Sequence, residues 1–444
     1  MIKTTCLFLL CLATALRADD TAAKLEAMSR DFLDLGLFRG AILVVQKDNV
    51  LVDRGYGPAD AESAIANTPD TRFRIASMTK WFTAAAVMDL VAEGRLALDT
   101  PVTKFLPEAP PAWAAIQLSH LLMHTSGLPN FTDFPDFHAS STKSFTPVEL
   151  LGLFKAHPLA FAPGAKFSYT NSGYVLLGLI IERVTGEDYG AYMHRRYFTP
   201  LGLKDTTYTS SADFAPGMAI GYVPTASGPR RAPPWHLSTA YAAGGLVSTT
   251  GDLRRWFDTL RAAKVGKPED WAMLKVERVD YREMGLTSAW AGGKRILAAS
   301  GAIPGFLSNL VYDTSSDTLI VVLANIGGAG GEDLIKKLLH IVQGGNPELP
   351  SARKGIALPA ETLARYAGTY RMAAGFPLVI VLADGRLHAQ APGQAPVELV
   401  AISESLFEAK ALDGSIEFAR DAEGNVAQIV LTRGGRKIPG APER

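Results

Sequence analysis

The stretch RIASMTKWFTAAAVMDLVAEG places Ser77 three residues before Lys80, at the start of a nearly unbroken apolar helical pattern. On a helix, residues three apart share a face, so the lysine can point back at the serine hydroxyl from inside the core. Burial disfavours a charged amine, and a neutral lysine can accept the serine proton. We therefore predict a serine nucleophile with a lysine base, placed where helix N-terminal N–H groups favour an oxyanion. The competing interpretation is a capping serine followed by a lysine that reaches solvent.

The Ser-x-x-Lys pattern occurs three times, and the surrounding sequence distinguishes the three. Ser140 and Lys143 lie in the polar stretch HASSTKSFTP, and Ser351 and Lys354 lie in the proline-rich stretch NPELPSARKGIALP. Only Ser77 heads an apolar helix, so Ser77 is the predicted nucleophile.

The stretch FAPGAKFSYTNSGYVLLGLIIE places Tyr169 and Asn171 in a turn that starts a second apolar helix. A tyrosine phenol beside Ser77 and Lys80 could relay a proton to a leaving group. The asparagine could donate to a substrate carbonyl or hold the lysine in place. The alternative is a core tyrosine next to an N-cap asparagine.

The composition excludes several function classes. With 444 residues, of which 48% are hydrophobic, the chain can bury a large core, which we expect to be divided between two domains. Lys plus Arg and Asp plus Glu number 44 each, so no net charge attracts nucleic acid. The eight histidines show no metal-ligand spacing, so we predict no metal site, and we predict no cofactor.

The N-terminal sequence MIKTTCLFLLCLATALRADD is typical of a secretory signal peptide, which we assign to residues 1–18. Its apolar run from Cys6 to Leu16 is too short to span a bilayer comfortably. We therefore expect export to the periplasm or the exterior, with no stable membrane insertion after cleavage. Because both cysteines lie in this segment, the mature protein would have no disulfide and no thiol chemistry. A lipoprotein anchor at Cys11 is the alternative, which the bulky Leu10 disfavours.

The remaining patterns predict an α+β fold followed by a small β domain. GAILVVQKDNVLVDRGYG indicates a β-hairpin, and NSGYVLLGLIIERVTG indicates a buried helix that ends at Gly186. FLSNLVYDTSSDTLIVVLANIG predicts antiparallel strands, and EDLIKKLLHIVQGG predicts an amphipathic helix. Prolines and glycines then mark a linker at 346–358, between a catalytic domain at 19–345 and an all-β domain at 359–444.

Six motifs occur in an order known from one superfamily: FRIASMTK, LLMHTSGLP, FSYTNSGYVLLGLIIE, PLGLKDTTY, AAGGLVSTTGDL and SGAIPGF. Over about residues 25–345 the chain resembles the serine β-lactamases and penicillin-binding proteins, and most of all the class C branch with its related esterases and D-amino-acid peptidases. The resemblance implies an antiparallel sheet with helices on both sides and an all-helical lobe, with the site between them. It also implies that Ser77 is the nucleophile, Lys80 its proton acceptor, and Tyr169 with Asn171 the second catalytic motif.

Two shorter resemblances concern other parts of the chain. LARYAGTYR resembles the start of the small lipocalin-like β-barrel that follows some of these hydrolases. His124, in MHTSG, resembles a residue of a family loop whose role is structural.

The third family motif is Lys or His, then Ser or Thr, then Gly, and this chain has Ala299, Ser300 and Gly301 in its place. We predict that Ser300 and Gly301 still contact the substrate. The backbone N–H of Ala302 can still pair with that of Ser77 as an oxyanion hole, because a backbone donor does not need the lost side chain.

The missing cation affects recognition of a substrate carboxylate. Lys294 or Arg295, on the preceding strand segment, could supply a substitute charge. His236, next to Trp235, is a further candidate for the substrate cleft.

We expect a secreted serine hydrolase that acts on a small-molecule ester, amide or peptide through an acyl-enzyme at Ser77. Ester hydrolysis ranks above cleavage of peptides that contain D-amino acids, and β-lactam hydrolysis ranks last. The alternative is a non-catalytic relative that binds peptidoglycan fragments or a protein partner. The serine, the lysine and the tyrosine favour the enzyme, because a binding protein needs no buried nucleophile with its base.

Overall fold

The computed structural model describes residues 20–443, except 212, 226–227, 274, 277–278, 281–285, 329, 353, 395, 410–413 and 434–435. The predicted signal peptide at 1–18 lies outside the described residues. Within them, no helix combines the length and the apolar character that crossing a membrane would require.

The helices are α1 (20–34), α2 (Thr79–Ala92), α3 (Leu118–Leu122), α4 (Pro135–Ser140), α5 (Pro147–Phe154), α6 (Asn171–Thr185), α7 (Tyr189–Met193), α8 (Tyr241–Gly244), α9 (Thr250–Arg261), α10 (Pro268–Trp271), α11 (Gly330–Val342) and α12 (Ala360–Ala364).

The strands up to residue 324 are β1 (Gly40–Gln46), β2 (Asn49–Tyr56), β3 (Pro58–Asp60), β4 (Ile65–Ala66), β5 (Phe73–Arg74), β6 (Thr207–Tyr208), β7 (Tyr222–Val223), β8 (Arg230–Arg231), β9 (Leu246–Ser248), β10 (Lys275–Val276), β11 (Val279–Asp280), β12 (Thr287–Ala291), β13 (Lys294–Ile303), β14 (Phe306–Asp313) and β15 (Thr318–Ala324). Those after it are β16 (Gly368–Met372), β17 (Pro377–Ala383), β18 (Arg386–Gln390), β19 (Val397–Ala401), β20 (Leu406–Ala409), β21 (Gly414–Arg420), β22 (Val426–Arg433) and β23 (Arg436–Pro442).

The main sheet is antiparallel, with the strand order β12-β13-β14-β15-β1-β2. Its adjacent inner strands β15 and β1 are apolar on both faces, because side chains two residues apart share a face and both faces are covered. Ile42 and Ile320 pack on one side, against α1 and α11. Leu43 and Val321 pack on the other, in the larger core that contains α2, α6 and α9.

The helical lobe is centred on α2 and α6, the two apolar helices that the sequence predicts. Residues 79–90 of α2 are all buried, because the helix packs against neighbours on every side. Its Phe82 ring stacks on Trp256 of α9, with ring centroids 4.4 Å apart. Helix α6 ends at Gly186, whose φ of 76° is the left-handed conformation of a glycine C-cap.

The C-terminal strands β16 to β23 form a closed antiparallel barrel. Its core contains Tyr366, Phe407 and Phe418, with Leu363 of α12 packed against them. The β17–β18 hairpin turns at Asp384 and Gly385, whose φ values of 49° and 72° suit a tight two-residue turn. The predicted fold class, an α+β domain with a helical lobe followed by a small barrel, is therefore confirmed.

Candidate active site

Ser77 lies in a 3-10 turn, Ala76–Met78, that leads directly into α2. The preceding Ala76 is buried and has a φ of 48°, a left-handed conformation that costs free energy for a residue with a Cβ. The surrounding core compensates for this strain and holds the turn. Its geometry places the Ser77 side chain, half-buried, at the head of the helix.

Lys80 lies one helical turn further and is 7% exposed. Its Nζ is 3.1 Å from Ser77 Oγ, 2.8 Å from Asn171 Oδ1 and 2.7 Å from the Ala243 carbonyl oxygen. Burial lowers the pKa of Lys80 well below its ordinary value.

In the described geometry Lys80 Nζ donates to all three oxygens, and a Lys80 that has lost one proton also fits these neighbours. A neutral amine has two N–H donors and one lone pair, and the oxygens of Asn171 and Ala243 can only accept. The lone pair then remains for the Ser77 hydroxyl, which can donate its proton. This arrangement has the direction that a base needs to activate a serine.

Tyr169 completes the hydrogen-bond chain, because its phenol donates to Ser77 Oγ over 2.9 Å. Burial raises the pKa of Tyr169, and the bond to Ser77 offsets part of the increase, so the phenol keeps its proton at neutral pH. Ser77 Oγ therefore lies within hydrogen-bond distance of both the Tyr169 phenol and Lys80 Nζ.

The Asn171 amide is held from several sides. Its Nδ2 donates to Thr132 Oγ1 over 3.0 Å, so Oδ1 faces Lys80. Its backbone N–H donates to Asn130 Oδ1, and the N-cap of α6 is the neighbouring Thr170. The sequence analysis gives Asn171 two possible roles, donating to a substrate carbonyl or holding Lys80 in place. The contact between Asn171 Oδ1 and Lys80 Nζ favours the second role.

His124 supports the segment that carries Tyr169. It is 1% exposed, its carbonyl accepts from the Ser168 N–H, and its Nδ1 accepts from the Thr170 N–H over 3.2 Å. Its ring lies 4.5 Å from the Tyr169 ring. Burial, together with the nearby Lys80, lowers the pKa of His124 to about 3, so the imidazole is neutral.

Strand β13 passes directly behind the nucleophile. A Cβ atom on Gly301 would lie 2.3 Å from the Ile75 oxygen and 2.6 Å from the Ser77 nitrogen, so only glycine fits at this contact. Ser300 and Ala302, on either side of it, are exposed and line the cavity at Ser77. The predicted oxyanion-hole pair, Ser77 and Ala302, is thus brought together.

Ser77 borders two cavities. The larger, of about 410 Å³, is bounded by residues 298–302 of β13, with Glu332 of α11 at its edge. The smaller, of about 220 Å³, includes Asn171, Trp235 and Ala302 in its wall.

The lining of the larger cavity carries little charge. Burial lowers the pKa of Lys80 and that of His124, which favours the neutral form of each. Glu332 is exposed, and its carboxylate has no hydrogen-bond or ion-pair partner among the described residues. Of the described residues that line this cavity, Glu332 is the one with an acidic side chain.

The suggested substitute cations lie elsewhere. Lys294 and Arg295 are five or more residues before Ser300 on β13, about 16 Å or more at ~3.3 Å per residue. The Arg295 guanidinium donates to Ser288 Oγ over 3.0 Å. Neither side chain lines either cavity at Ser77.

The structure places Trp235, and not His236, in the wall of the smaller cavity. The His236 ring is hydrogen-bonded to Ser238 Oγ over 2.7 Å. The Trp235 indole N–H is buried and has no hydrogen-bond partner among the described residues. The sequence analysis names His236 as the candidate for the substrate cleft because of its chemical type, whereas the residue that lines the smaller cavity is the adjacent Trp235.

The other two Ser-x-x-Lys patterns lie away from these cavities. Ser140 Oγ donates to the carbonyls of Asp136 and Phe137 at the end of α4. Ser351 is exposed, and its backbone N–H donates to Asp31.

Two family models match the chain. A β-lactamase model matches residues 25–344, and a model of a domain of unknown function, DUF3471, matches residues 352–441. Among similar proteins, the Flp protein of Staphylococcus aureus strain MW2 is 28% identical over 341 residues, which is 72% of this chain. The chain spans 66% of the length of that relative.

Two solved structures are similar to this one. The octameric penicillin-binding protein homologue from Pyrococcus abyssi is 24% identical, with a TM-score of 0.67 over 94% of this chain and 99% of that one. The D-amino acid amidase from Ochrobactrum anthropi SV3 is 27% identical, with a TM-score of 0.65 over 73% of this chain and 99% of that one.

Proposed function

The chain belongs to the β-lactamase family, and from this premise we propose that it is an exported serine hydrolase that transfers acyl groups through an ester at Ser77. The observation that carries the proposal is the chain of hydrogen-bond contacts that joins Tyr169, Ser77 and Lys80. Such a chain moves a proton away from the nucleophile and offers another one to a leaving group.

In the first step, neutral Lys80 takes the Ser77 proton while Oγ forms a bond to the substrate carbonyl carbon. The carbonyl oxygen becomes an oxyanion, which the backbone N–H groups of Ser77 and Ala302 stabilise. The bond to the leaving group then breaks as Tyr169 gives that group its proton, and Tyr169 recovers a proton from Lys80. One proton has passed from serine to leaving group, and Ser77 carries the acyl group.

In the second step, water attacks the acyl ester and gives a proton to the same base. The acid leaves, and the Ser77 hydroxyl is restored. A covalent intermediate divides one difficult displacement into two easier ones.

We propose neutral esters as the best substrates, ahead of amides and peptides of D-amino acids, with β-lactams last. The ranking is supported by Ala299, which leaves the third motif without a cation, and by the negative charge of Glu332 at the same cavity. The similarity to a D-amino acid amidase favours amides as the second class. Export is proposed from residues 1–18, and N-terminal sequencing of the protein recovered from its host tests it.

The direct test is intact-protein mass spectrometry after incubation with a fluorophosphonate and, separately, with a penicillin. We expect a fluorophosphonate adduct on the wild type and none on Ser77→Ala, which should also lose at least ~10³-fold in ester turnover. Ser140→Ala and Ser351→Ala are matched controls and should be labelled like the wild type. Equal labelling of wild type and Ser77→Ala would refute the assignment.

The second candidate function is non-catalytic binding of peptidoglycan fragments or of a protein partner, which the missing cation at Ala299 motivates. It predicts no adduct and no ester turnover in the wild type, so the same experiment separates the two.

A further inference from the structure

A third cavity, of about 770 Å³, lies between the larger domain and the C-terminal barrel. One wall consists of residues 302–307, with Arg230 of β8 and Glu332 of α11. The barrel supplies the other wall through Gln390, the loop after it, and Arg433. Its volume is within the range of sites that bind small molecules and short peptides.

This interdomain cavity adjoins the site at Ser77. Ala302, Leu307 and Glu332 line both it and the larger cavity beside Ser77. Ile303 and Pro304 line both it and the smaller cavity. A substrate seated at the oxyanion hole therefore has a path past Ala302 toward the barrel.

The barrel wall is fixed to the larger domain next to this path. The Arg433 guanidinium lies 3.4 Å from the carboxylate of Asp333, which adjoins Glu332 in the first turn of α11. The Ile356 N–H donates to the Ala401 carbonyl over 2.8 Å. On the barrel wall, the Gln390 side-chain amide donates to the Gln394 carbonyl over 3.2 Å and so stabilises the loop after β18.

The chemistry of the lining matches a peptide. Ile303 and Phe306 give apolar surface, and Gln390 gives a side-chain amide that can pair with peptide groups. Arg230 and Glu332 have no side-chain partner among the described residues, so each can accept an opposite charge. A lipid chain would leave these charged groups desolvated and unpaired, whereas a peptide can satisfy both signs.

We propose that the interdomain cavity binds the extended part of a peptide substrate whose scissile bond lies at Ser77, so that the barrel sets the preference for substrate length. This proposal rests on the proposed function of Ser77. It assigns a role to the domain of unknown function at 352–441.

The test uses the full-length protein and two variants that fill the cavity from opposite walls, Gln390→Trp on the barrel and Arg230→Trp on the larger domain. The exposed Gln428, also on the barrel but outside this cavity, supplies the matched control Gln428→Trp. The substrates are a short aryl acetate and two series of D-alanine peptide esters, one lengthened on the acyl side and the other on the leaving-group side.

In the wild type we expect kcat/KM to rise at least tenfold with length in one of the two series. Both filling variants should abolish this rise, while kcat/KM for the aryl acetate changes less than about twofold. Gln428→Trp should leave both the rise with length and kcat/KM for the aryl acetate unchanged. Absence of length dependence in both series would overturn the proposal, as would equal effects of the filling and control variants.

A binding measurement tests the cavity proposal independently of whether Ser77 is the nucleophile. The longest of the peptide esters is titrated calorimetrically into two proteins, Ser77→Ala and the double variant Ser77→Ala with Gln390→Trp. The Kd should be at least tenfold lower for Ser77→Ala than for the double variant. Equal Kd values would overturn the cavity proposal. A missing fluorophosphonate adduct on the wild type would instead refute the proposed function.

Discussion

Gly301 and Ser77 are in direct backbone contact, so closely that a Cβ atom at position 301 would lie 2.6 Å from the Ser77 nitrogen. Ser308, paired with Gly301 across β13 and β14, donates its hydroxyl to the Ile75 carbonyl over 2.7 Å and so attaches the nucleophile turn to the sheet. The sheet and the head of α2 therefore meet at a separation that only glycine permits. This separation places Ser77 and Ala302, the predicted oxyanion-hole pair, side by side in the lining of one cavity.

Gly301→Ala should separate strand and turn, because the clashing atoms are backbone and cannot rotate away. We expect kcat/KM for a small ester to fall at least ~100-fold, the loss typical of one missing oxyanion donor. Overpacking should cost about 1–3 kcal/mol in the free energy of unfolding, measured in urea. Gly152→Ala is the control, because a Cβ there meets open space. Wild-type kinetics in Gly301→Ala would show that this contact does not position the oxyanion hole.

Tyr169→Phe should affect amides more than aryl esters. The variant keeps the ring but removes the O–H that donates to Ser77, and an amine leaving group needs that proton more than a phenolate does. We expect kcat to fall about 10²- to 10⁴-fold for a D-amino acid amide and much less for an aryl ester. Tyr174→Phe is the control, because its phenol donates to the Leu122 carbonyl. Parallel losses on both substrates would assign Tyr169 a role other than proton donor.

His124 should make the fold sensitive to acid. Its pKa is about 3 in the folded state, whereas an exposed histidine has a pKa of about 6.5. Below pH 6.5 the unfolded chain binds a proton that the folded protein does not, so stability falls as the pH decreases from 6.5 toward 3. The slope should reach about 1.4 kcal/mol per pH unit.

His124→Asn should remove this slope. Asparagine tolerates the φ of 55° at this position and keeps an acceptor for the Thr170 N–H. Urea unfolding of both proteins at pH 7, 5.5 and 4.5 measures the slope, which is independent of the packing lost with the ring. Equal slopes would mean that the imidazole is already protonated in the folded protein.

The elements that hold the site could be predicted from the sequence because their signals are local. The apolar run after Ser77 indicates a helix buried on all sides, and Gly186 marks the end of α6. The confirmed fold class follows from such patterns together with the ordered motifs that carry the family resemblance.

Other features depend on chain segments that are distant in sequence. The Ala243 carbonyl that binds Lys80 is 163 residues away from it, and a backbone acceptor has no signature in the sequence. Glu332 lies in a first turn where acidic residues are common for reasons of helix dipole alone, so its position at the cavity edge could not be deduced. The predicted roles of Ser77, Lys80, Tyr169 and Asn171 remain predictions, now with a geometry that experiments can address.

Ala299 should direct the substrate preference away from carboxylates. It lines the larger cavity on β13, where the family motif has a cation, and the acidic side chain among the described residues that line that cavity is Glu332. A charge-assisted hydrogen bond contributes about 1.5–3 kcal/mol, which corresponds to roughly 10- to 100-fold in kcat/KM. A neutral aryl ester loses nothing without that cation. We therefore expect it to have a higher kcat/KM than a cephalosporin or a peptide ending in D-Ala-D-Ala.

Ala299→Lys should narrow this gap, because a new ammonium at the cavity attracts the anionic substrates and leaves the neutral ester unaffected. Trp290→Lys is the control, since Trp290 is 73% exposed on the neighbouring β12 and lines neither cavity at Ser77. The measurement is kcat/KM for both substrate types in the three proteins. If the wild type prefers the carboxylate substrate, a cation outside the described cavity lining binds that carboxylate. Neutral esters are then not the best substrates. If Ala299→Lys and Trp290→Lys shift the ratio equally, the effect is one of net charge and position 299 does not contact the substrate carboxylate.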